Sequence, residues 1–157
     1  MSEALTAPFA TEALVLCVAG IGKLRSHASG RWVALAVVEL GVGAWCLLAP
    51  GRVAAAALAS TYATLAVGAL VLARRREACG CFGDDEAPAS VAQSVLSAAM
   101  ALVALAAVAS TPHGITWVFE RSPLIATTLI LGTAGAAYGA VLAYTQLPRA
   151  WGSWSAR

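Results

Sequence analysis

The chain has 157 residues, of which 60% are hydrophobic and 11% charged, and its net charge at pH 7 is +2. Soluble domains are typically about 45–50% apolar and about 25% charged, so this composition excludes a soluble globule, and its hydrophobicity excludes intrinsic disorder. The basic residues form short clusters, which argues against a nucleic-acid partner. The composition therefore predicts a single integral membrane domain over residues 1–157, with the lipid bilayer as its surroundings.

Five apolar stretches predict an all-α fold, a polytopic transmembrane helical bundle of four to five spans. A spanning helix needs about 17–25 mostly apolar residues, and these Ala-, Leu- and Val-rich stretches lack the alternation of membrane strands. The first is the weakest, because Glu12 and Lys23 lie near its ends. It is expected to be retained, since no Lys or Arg precedes it as in a secretory signal. The predicted spans are 8–24, 32–49, 53–73, 88–110 and 123–147.

Lysine and arginine are unevenly distributed over the predicted loops. Cytoplasmic loops are the ones enriched in these residues. With five spans, Arg52 and Arg121 lie on one side and the other eight on the opposite side. The eight are Lys23, Arg25, Arg31, Arg74, Arg75, Arg76, Arg149 and Arg157. We therefore expect a multi-pass cell-membrane protein with its N-terminus outside, and with its C-terminus and the loop after the third span in the cytoplasm.

That loop carries the sharpest motif of the chain, Ala78-Cys79-Gly80-Cys81-Phe82-Gly83. On a helix, residues i and i+2 are about 200° apart, whereas in a turned segment two cysteines come within the roughly 4.4–6.8 Å Cα separation of a disulfide. Gly80 allows the tight backbone turn between them. A strained, exposed disulfide of this kind is labile. The motif therefore predicts that Cys79 and Cys81 are a redox-active pair that cycles between dithiol and disulfide.

The motif also carries a family resemblance, together with Gly20-Ile21-Gly22-Lys23-Leu24 and Glu39-Leu40-Gly41-Val42-Gly43. In this order and spacing the chain resembles the methylamine-utilisation MauE family, within the broader DoxX-like membrane proteins. The resemblance implies a helical membrane protein linked to thiol–disulfide exchange, and in MauE itself to maturation of a disulfide-rich amine dehydrogenase subunit. It further implies a thioredoxin-like redox partner or a disulfide-containing client protein. A quinone electron acceptor is compatible with this chemistry, although no motif demands one.

Glu39 and Lys23 are the candidate residues for proton transfer. Glu39 is about 10 Å inside the second predicted span, and an ionisable group at such depth is a functional hypothesis by default. Lys23, at the inner end of the first span, is a plausible partner, and the two residues would tune proton transfer during thiol exchange. A purely structural ion pair, or a protonated Glu39 that is hydrogen-bonded in the bundle, is an equal alternative. Gln93, early in the fourth span, is more simply interpreted as a hydrogen-bonding residue between helices.

The remaining cysteines and glycines leave alternatives open. Cys17 and Cys46 are expected to pack as small apolar side chains, with a relay inward from Cys81 or an outer exchange point at Cys46 as the alternative, and a disulfide between them is not expected. Gly135 and Gly139 form a small-xxx-small pair that predicts close packing inside the bundle, with a dimer contact as the alternative. Two rival functions also stay open: a carrier of soft metal ions (mercury or copper) through Cys79 and Cys81, and a non-catalytic membrane subunit. No dedicated metal site is predicted.

Overall fold

A computed structural model describes residues 2–26, 30–77 and 89–155 of the chain. These residues form six α-helices and no strand. The helices are α1 (Ser2–Ser26), α2 (Gly30–Leu48), α3 (Arg52–Arg75), α4 (Val91–Ser110), α5 (Ile115–Phe119) and α6 (Pro123–Ser155). The all-α prediction is confirmed. The predicted redox pair, Cys79 and Cys81, lies outside the described residues.

Four helices are long and apolar enough to cross a membrane. The membrane-crossing stretches are Glu3–Ser26, Arg52–Arg75, Val91–Ser110 and Pro123–Leu147, and α2 contributes a shorter apolar stretch, Trp32–Leu48. Helices suit a bilayer because every backbone hydrogen bond is made within the segment. The prediction of four to five spans is therefore confirmed.

The starts of two helices differ from the predicted ones. The first helix begins at Ser2 rather than at residue 8, so that Pro8 lies inside α1. The fourth begins at Val91 rather than at residue 88, because Ser90 and Gln93 form a capping box. The Gln93 backbone N–H donates to Ser90 Oγ (3.2 Å), and the Ser90 N–H donates to Gln93 Oε1 (2.9 Å). Each bond satisfies a backbone donor that a helix start otherwise leaves without a partner.

Successive long helices run in opposite directions, which gives the bundle two ends. We call the end where α1 and α3 stop and α2 and α4 begin the Glu77 end, and the opposite end, which carries the α4–α5 connection, the His113 end. Arg74, Arg75 and Arg76 are exposed at the Glu77 end. The α1 helix occupies the centre of the bundle, where it contacts α2, α4 and α6. The most extensive contact between two helices is the one between α3 and α4.

Two glycines allow α1 and α2 to pack almost backbone to backbone. A Cβ atom added at Gly20 would lie 2.9 Å from the Ala36 carbonyl oxygen, and one added at Gly43 would lie 2.8 Å from that of Ala13. Small residues at a helix crossing are the usual means of close approach in lipid. The two glycines therefore set the spacing of the central helix pair.

The glycines of α6 have a different environment. This helix packs against the bundle through the face that carries the buried residues Ala137 and Tyr144. A Cβ atom added at Gly132, Gly135 or Gly139 would meet nothing within 4 Å among the described residues. The prediction that Gly135 and Gly139 pack inside the bundle is therefore wrong. These glycines lie on a face of α6 that points away from α1, because positions two residues apart on a helix differ by about 200°.

We expect the substitution Gly43→Ala to destabilise the protein by about 1–3 kcal/mol, the usual cost of overpacking a close contact. The added methyl group would meet Cys17 Sγ at 2.6 Å and the Ala13 carbonyl oxygen at 2.8 Å. Thermal unfolding of the detergent-purified protein measures the effect. The matched control is Gly41→Ala on the same helix, where open space surrounds the position and alanine is the better helix former. Equal melting temperatures for the two variants would contradict the close packing.

Candidate functional site

A buried ion pair joins α1 to α2. Lys23 Nζ donates to both carboxylate oxygens of Glu39, at 2.9 Å and 2.8 Å. The Lys23 and Glu39 side chains are only 1% and 0% exposed. The predicted partnership of these two residues is therefore present in the structure. Two short charge-assisted hydrogen bonds offset part of the cost of removing both charges from water.

A small, mostly apolar cavity adjoins the ion pair. Its volume is about 30 Å³, and its walls combine apolar residues of α1 and α3 with the polar residues Lys23, Glu39, Tyr62, Ser97 and Tyr144. This is the volume of one or two water molecules, each of which needs at least about 10–15 Å³ of such space. Ser97 Oγ and Tyr144 Oη are hydrogen-bonded at 3.0 Å on its wall. Residues from α3, α4 and α6 thus line the cavity beside the α1–α2 ion pair.

Gln93 connects the start of α4 to α6. Its side-chain Nε2 donates to the Tyr144 carbonyl oxygen at 3.3 Å, while its Oε1 accepts the Ser90 backbone N–H. The amide therefore caps one helix and holds another, in agreement with its interpretation as an interhelical hydrogen-bonding residue. An S-x-x-Q pattern before an apolar run is the sequence signal for this cap.

Glu12 is a buried acidic residue that the sequence interpretation did not assign to the core. Glu12 is only 2% exposed, and its carboxyl Oε2 has no hydrogen-bond partner among the described residues. Tyr62 Oη donates to the Glu12 backbone carbonyl at 2.7 Å, which ties α3 to α1. The sequence did contain a signal for the burial of Glu12. Glu12 and Lys23 are eleven residues apart, so they lie on the same face of α1.

Cys17 and Cys46 are both free thiols. Cys17 Sγ lies against Gly43 at the α1–α2 crossing. Cys46 is fully buried, and its Sγ donates to the Ala54 carbonyl oxygen of α3 at 3.3 Å. The absence of a disulfide between Cys17 and Cys46 agrees with the sequence expectation. Both side chains fill space between helices, as small apolar residues do.

The structure does not test the predicted redox centre. Cys79 and Cys81 fall in the range 78–88, outside the described residues. Over the described ranges, no three His, Cys, Asp or Glu side chains come together in a way that could hold a metal ion. The site that the structure does define is the polar core around Lys23 and Glu39.

The helices and this polar core together define a multi-pass helical membrane protein with ionisable groups inside its bundle. Comparison of the chain with protein-family models, with curated proteins and with solved structures finds no match. The resemblance to the MauE and DoxX-like proteins therefore stays a prediction that depends on the quoted motifs.

The substitution Lys23→Met is expected to destabilise the protein by about 3–5 kcal/mol, because it leaves the Glu39 carboxylate buried without its counter-charge. The double variant Lys23→Met, Glu39→Met removes both charges and should recover most of that loss. A double-mutant cycle tests this expectation. It compares the melting temperatures of the wild type, the single variants Lys23→Met and Glu39→Met, and the double variant. If the losses of the two single variants simply add in the double variant, the pair does not interact in the way that its geometry indicates.

Proposed function

We propose that this protein exchanges thiols and disulfides with a partner protein through Cys79 and Cys81. The observation that carries the proposal is the closure of the α3–α4 hairpin at the Glu77 end. The Ala89 backbone N–H donates to the Glu77 carbonyl oxygen at 2.9 Å. The chain thus leaves and re-enters the bundle at one point, and the eleven residues between, 78–88, include both cysteines. This anchoring supports presentation of the motif at the surface of the bundle.

The end of α3 adds a second support. Arg76 has a left-handed backbone with φ 57°, and the Glu77 N–H donates back to the Leu72 carbonyl oxygen at 3.0 Å. This Schellman-type turn stops the helix and redirects the chain. It leaves Arg74, Arg75 and Arg76 exposed just before the motif. Positive charge near a cysteine favours the thiolate, which is the nucleophile in disulfide exchange.

Polar contacts also hold together the helices of the bundle from which residues 78–88 extend. Ser94 Oγ donates to the Ala66 carbonyl oxygen at 2.8 Å, which links α4 to α3, and the Lys23–Glu39 pair links α1 to α2. In this geometry the ion pair positions helices. Its predicted part in proton transfer is compatible with this geometry, because each Glu39 oxygen that accepts from Lys23 keeps a further lone pair for a proton.

The chemistry that we propose is a balanced two-electron exchange. A thiolate of Cys79 or Cys81 attacks a disulfide sulfur of the partner, and one partner sulfur leaves as a thiol after taking up a proton. The second cysteine then attacks the mixed disulfide, which closes the Cys79–Cys81 bond and frees the partner's second thiol. The reverse sequence reduces the Cys79–Cys81 bond at the expense of a dithiol partner. A disulfide-containing client and a thioredoxin-like protein are the partner classes that this exchange fits.

Counting reactive thiols tests the redox pair. The chain has four cysteines, and Cys17 and Cys46 are free. We therefore expect the purified protein to take up alkylating reagent at two positions when it is denatured without reductant, and at four after reduction. Peptide mass spectrometry should assign the reductant-dependent pair to Cys79 and Cys81.

Two variants provide the controls for this count. The double variant Cys17→Ser, Cys46→Ser should change from zero to two alkylated positions on reduction, whereas Cys79→Ser should show three in both conditions. Four reactive thiols without reductant, together with a stoichiometric amount of bound soft metal, would contradict the redox proposal and favour the metal carrier. Four thiols without metal, and no exchange with an added dithiol or disulfide protein, would favour a non-catalytic subunit.

The distribution of Lys and Arg supports an orientation that places residues 78–88 in the cytoplasm. A membrane-impermeant thiol reagent applied to whole cells should then miss Cys79 and Cys81 in a Cys17→Ser, Cys46→Ser background. A matched control adds Ser122→Cys to a variant without the other cysteines, because Ser122 is exposed at the His113 end. That position should be labelled from outside. Ready labelling of Cys79 or Cys81 in intact cells would reverse the assigned orientation.

A further inference from the structure

The carboxyl group of Glu12 lies deep inside the first membrane-crossing helix. Glu12 is ten residues after Ser2, the first residue of α1, which is about 15 Å along the helix axis. The residue is 2% exposed, and its Oε2 has no hydrogen-bond partner among the described residues. An ionisable side chain at such depth is a functional hypothesis by default, and the proposed thiol–disulfide exchange does not use this one.

Glu12 differs from Glu3 and Glu39 because it lacks a cationic partner among the described residues. Glu39 pairs with Lys23 at 2.8 Å, and Glu3 pairs with Arg121 at 2.8 Å. In the part of the chain that the structure describes, no Lys or Arg forms such a pair with Glu12. Lys23 is on the same helix, but eleven residues, or about 16 Å, separate it from Glu12. The Glu12 carboxyl group is therefore buried without a counter-charge from the described bundle.

The titratable side chains that interact with Glu12 from other helices cannot supply that charge. They are Cys46 of α2, Tyr62 of α3 and Tyr144 of α6. A thiol or a phenol is either neutral or negative, and never positive. The sequence of α4, Val91–Ser110, has no titratable residue. The surroundings of Glu12 thus tolerate a neutral carboxyl group and oppose a carboxylate.

We propose that Glu12 is a proton-binding site at the core of the bundle, and that the bound proton keeps α1 packed against the neighbouring helices. A neutral carboxyl group costs only an unmade hydrogen bond in this environment, whereas a buried carboxylate without a partner costs far more. The reaction is the addition of one proton from water to a carboxylate oxygen. The inference does not depend on the proposed exchange at Cys79 and Cys81.

The contacts around Glu12 explain how loss of the proton acts on the bundle. Tyr62 Oη donates to the Glu12 backbone carbonyl at 2.7 Å and so joins α3 to α1. Cys46 Sγ donates to the Ala54 carbonyl oxygen at 3.3 Å and so joins α2 to α3. A carboxylate is a stronger acceptor than a backbone carbonyl, so an ionised Glu12 would compete for these donors or draw water between the helices. Loss of the proton therefore loosens contacts that join three helices.

Infrared spectroscopy of the full chain in an ester-free detergent tests for the proton. A neutral carboxyl group has a carbonyl band that is separate from the bands of carboxylates. We expect such a band at pH 7, and we expect the variant Glu12→Gln to lack it. The matched control is Glu3→Gln, which removes an exposed carboxylate that is paired with Arg121 and should leave the band unchanged. If Glu12→Gln does not alter the neutral-carboxyl region of the spectrum, the proposal is overturned.

Thermal unfolding at two pH values tests the effect of the proton on stability. Between pH 7 and about pH 9 the unfolded chain has no proton on Glu12, whereas the folded protein releases one, so stability falls as pH rises. The melting temperature of the wild type should therefore fall further than that of Glu12→Gln, which has no proton to lose, and Glu3→Gln should behave as the wild type does. The variant Glu12→Met, with a second neutral side chain of similar length, repeats the comparison if the amide is not tolerated. Equal falls in the wild type and in a folded neutral variant would overturn the stabilising role of the proton.

The infrared measurement also separates this inference from the proposed function. The double variant Cys79→Ser, Cys81→Ser should keep the Glu12 band, because the groups that interact with Glu12 belong to the helices of the described bundle. Loss of the band in this variant would overturn the claim that the site is independent of the motif. Failure of the thiol count with an intact Glu12 band would contradict the exchange proposal alone.

Discussion

The ion pair between Lys23 and Glu39 is the interaction on which the central helices depend. Two opposite charges that are almost completely excluded from solvent are tolerated only when they meet. A slide of α1 along α2 by one residue, about 1.5 Å, would lengthen both hydrogen bonds. Gly20 and Gly43 bring the two backbones close, and the pair then selects one register among the many that similar apolar surfaces permit.

The same requirement explains why polar residues from other helices gather around α1. In lipid, a buried hydroxyl or amide needs a partner within the protein, and the partners here come from different helices. Tyr62 bonds to the backbone of α1, and Ser97 bonds to Tyr144. The hydrophobic effect gains little between these helices, because lipid tails are as apolar as leucine, so their association depends on close packing and on hydrogen bonds. The polar contacts therefore supply much of the specificity of the bundle.

The long helices could be predicted from the sequence because length and composition decide them, and the pairing of Lys23 with Glu39 could be predicted because a lone charge in lipid demands a partner. The contacts between distant residues, and the faces of the helices that are covered, could not be predicted, because local sequence patterns do not contain that information. The contact of Thr6 with His113 joins residues 107 positions apart. The glycines of α6 look like packing residues in the sequence, yet only the arrangement of neighbours decides which side of that helix is covered.

The distance between the two ends limits where a partner of the proposed exchange could bind. The helix α3 alone, with 24 residues, separates the Glu77 end from the His113 end by about 36 Å. Disulfide exchange requires sulfur to contact sulfur, so such a partner would have to meet the chain at the Glu77 end, where Glu77 and Ala89 flank residues 78–88. Among the described residues the thiols are those of Cys17 and Cys46, and both are free and packed between helices. A transfer of electrons along the bundle through them would need these helices to part, so an exchange confined to the Glu77 end is the simpler arrangement for this fold.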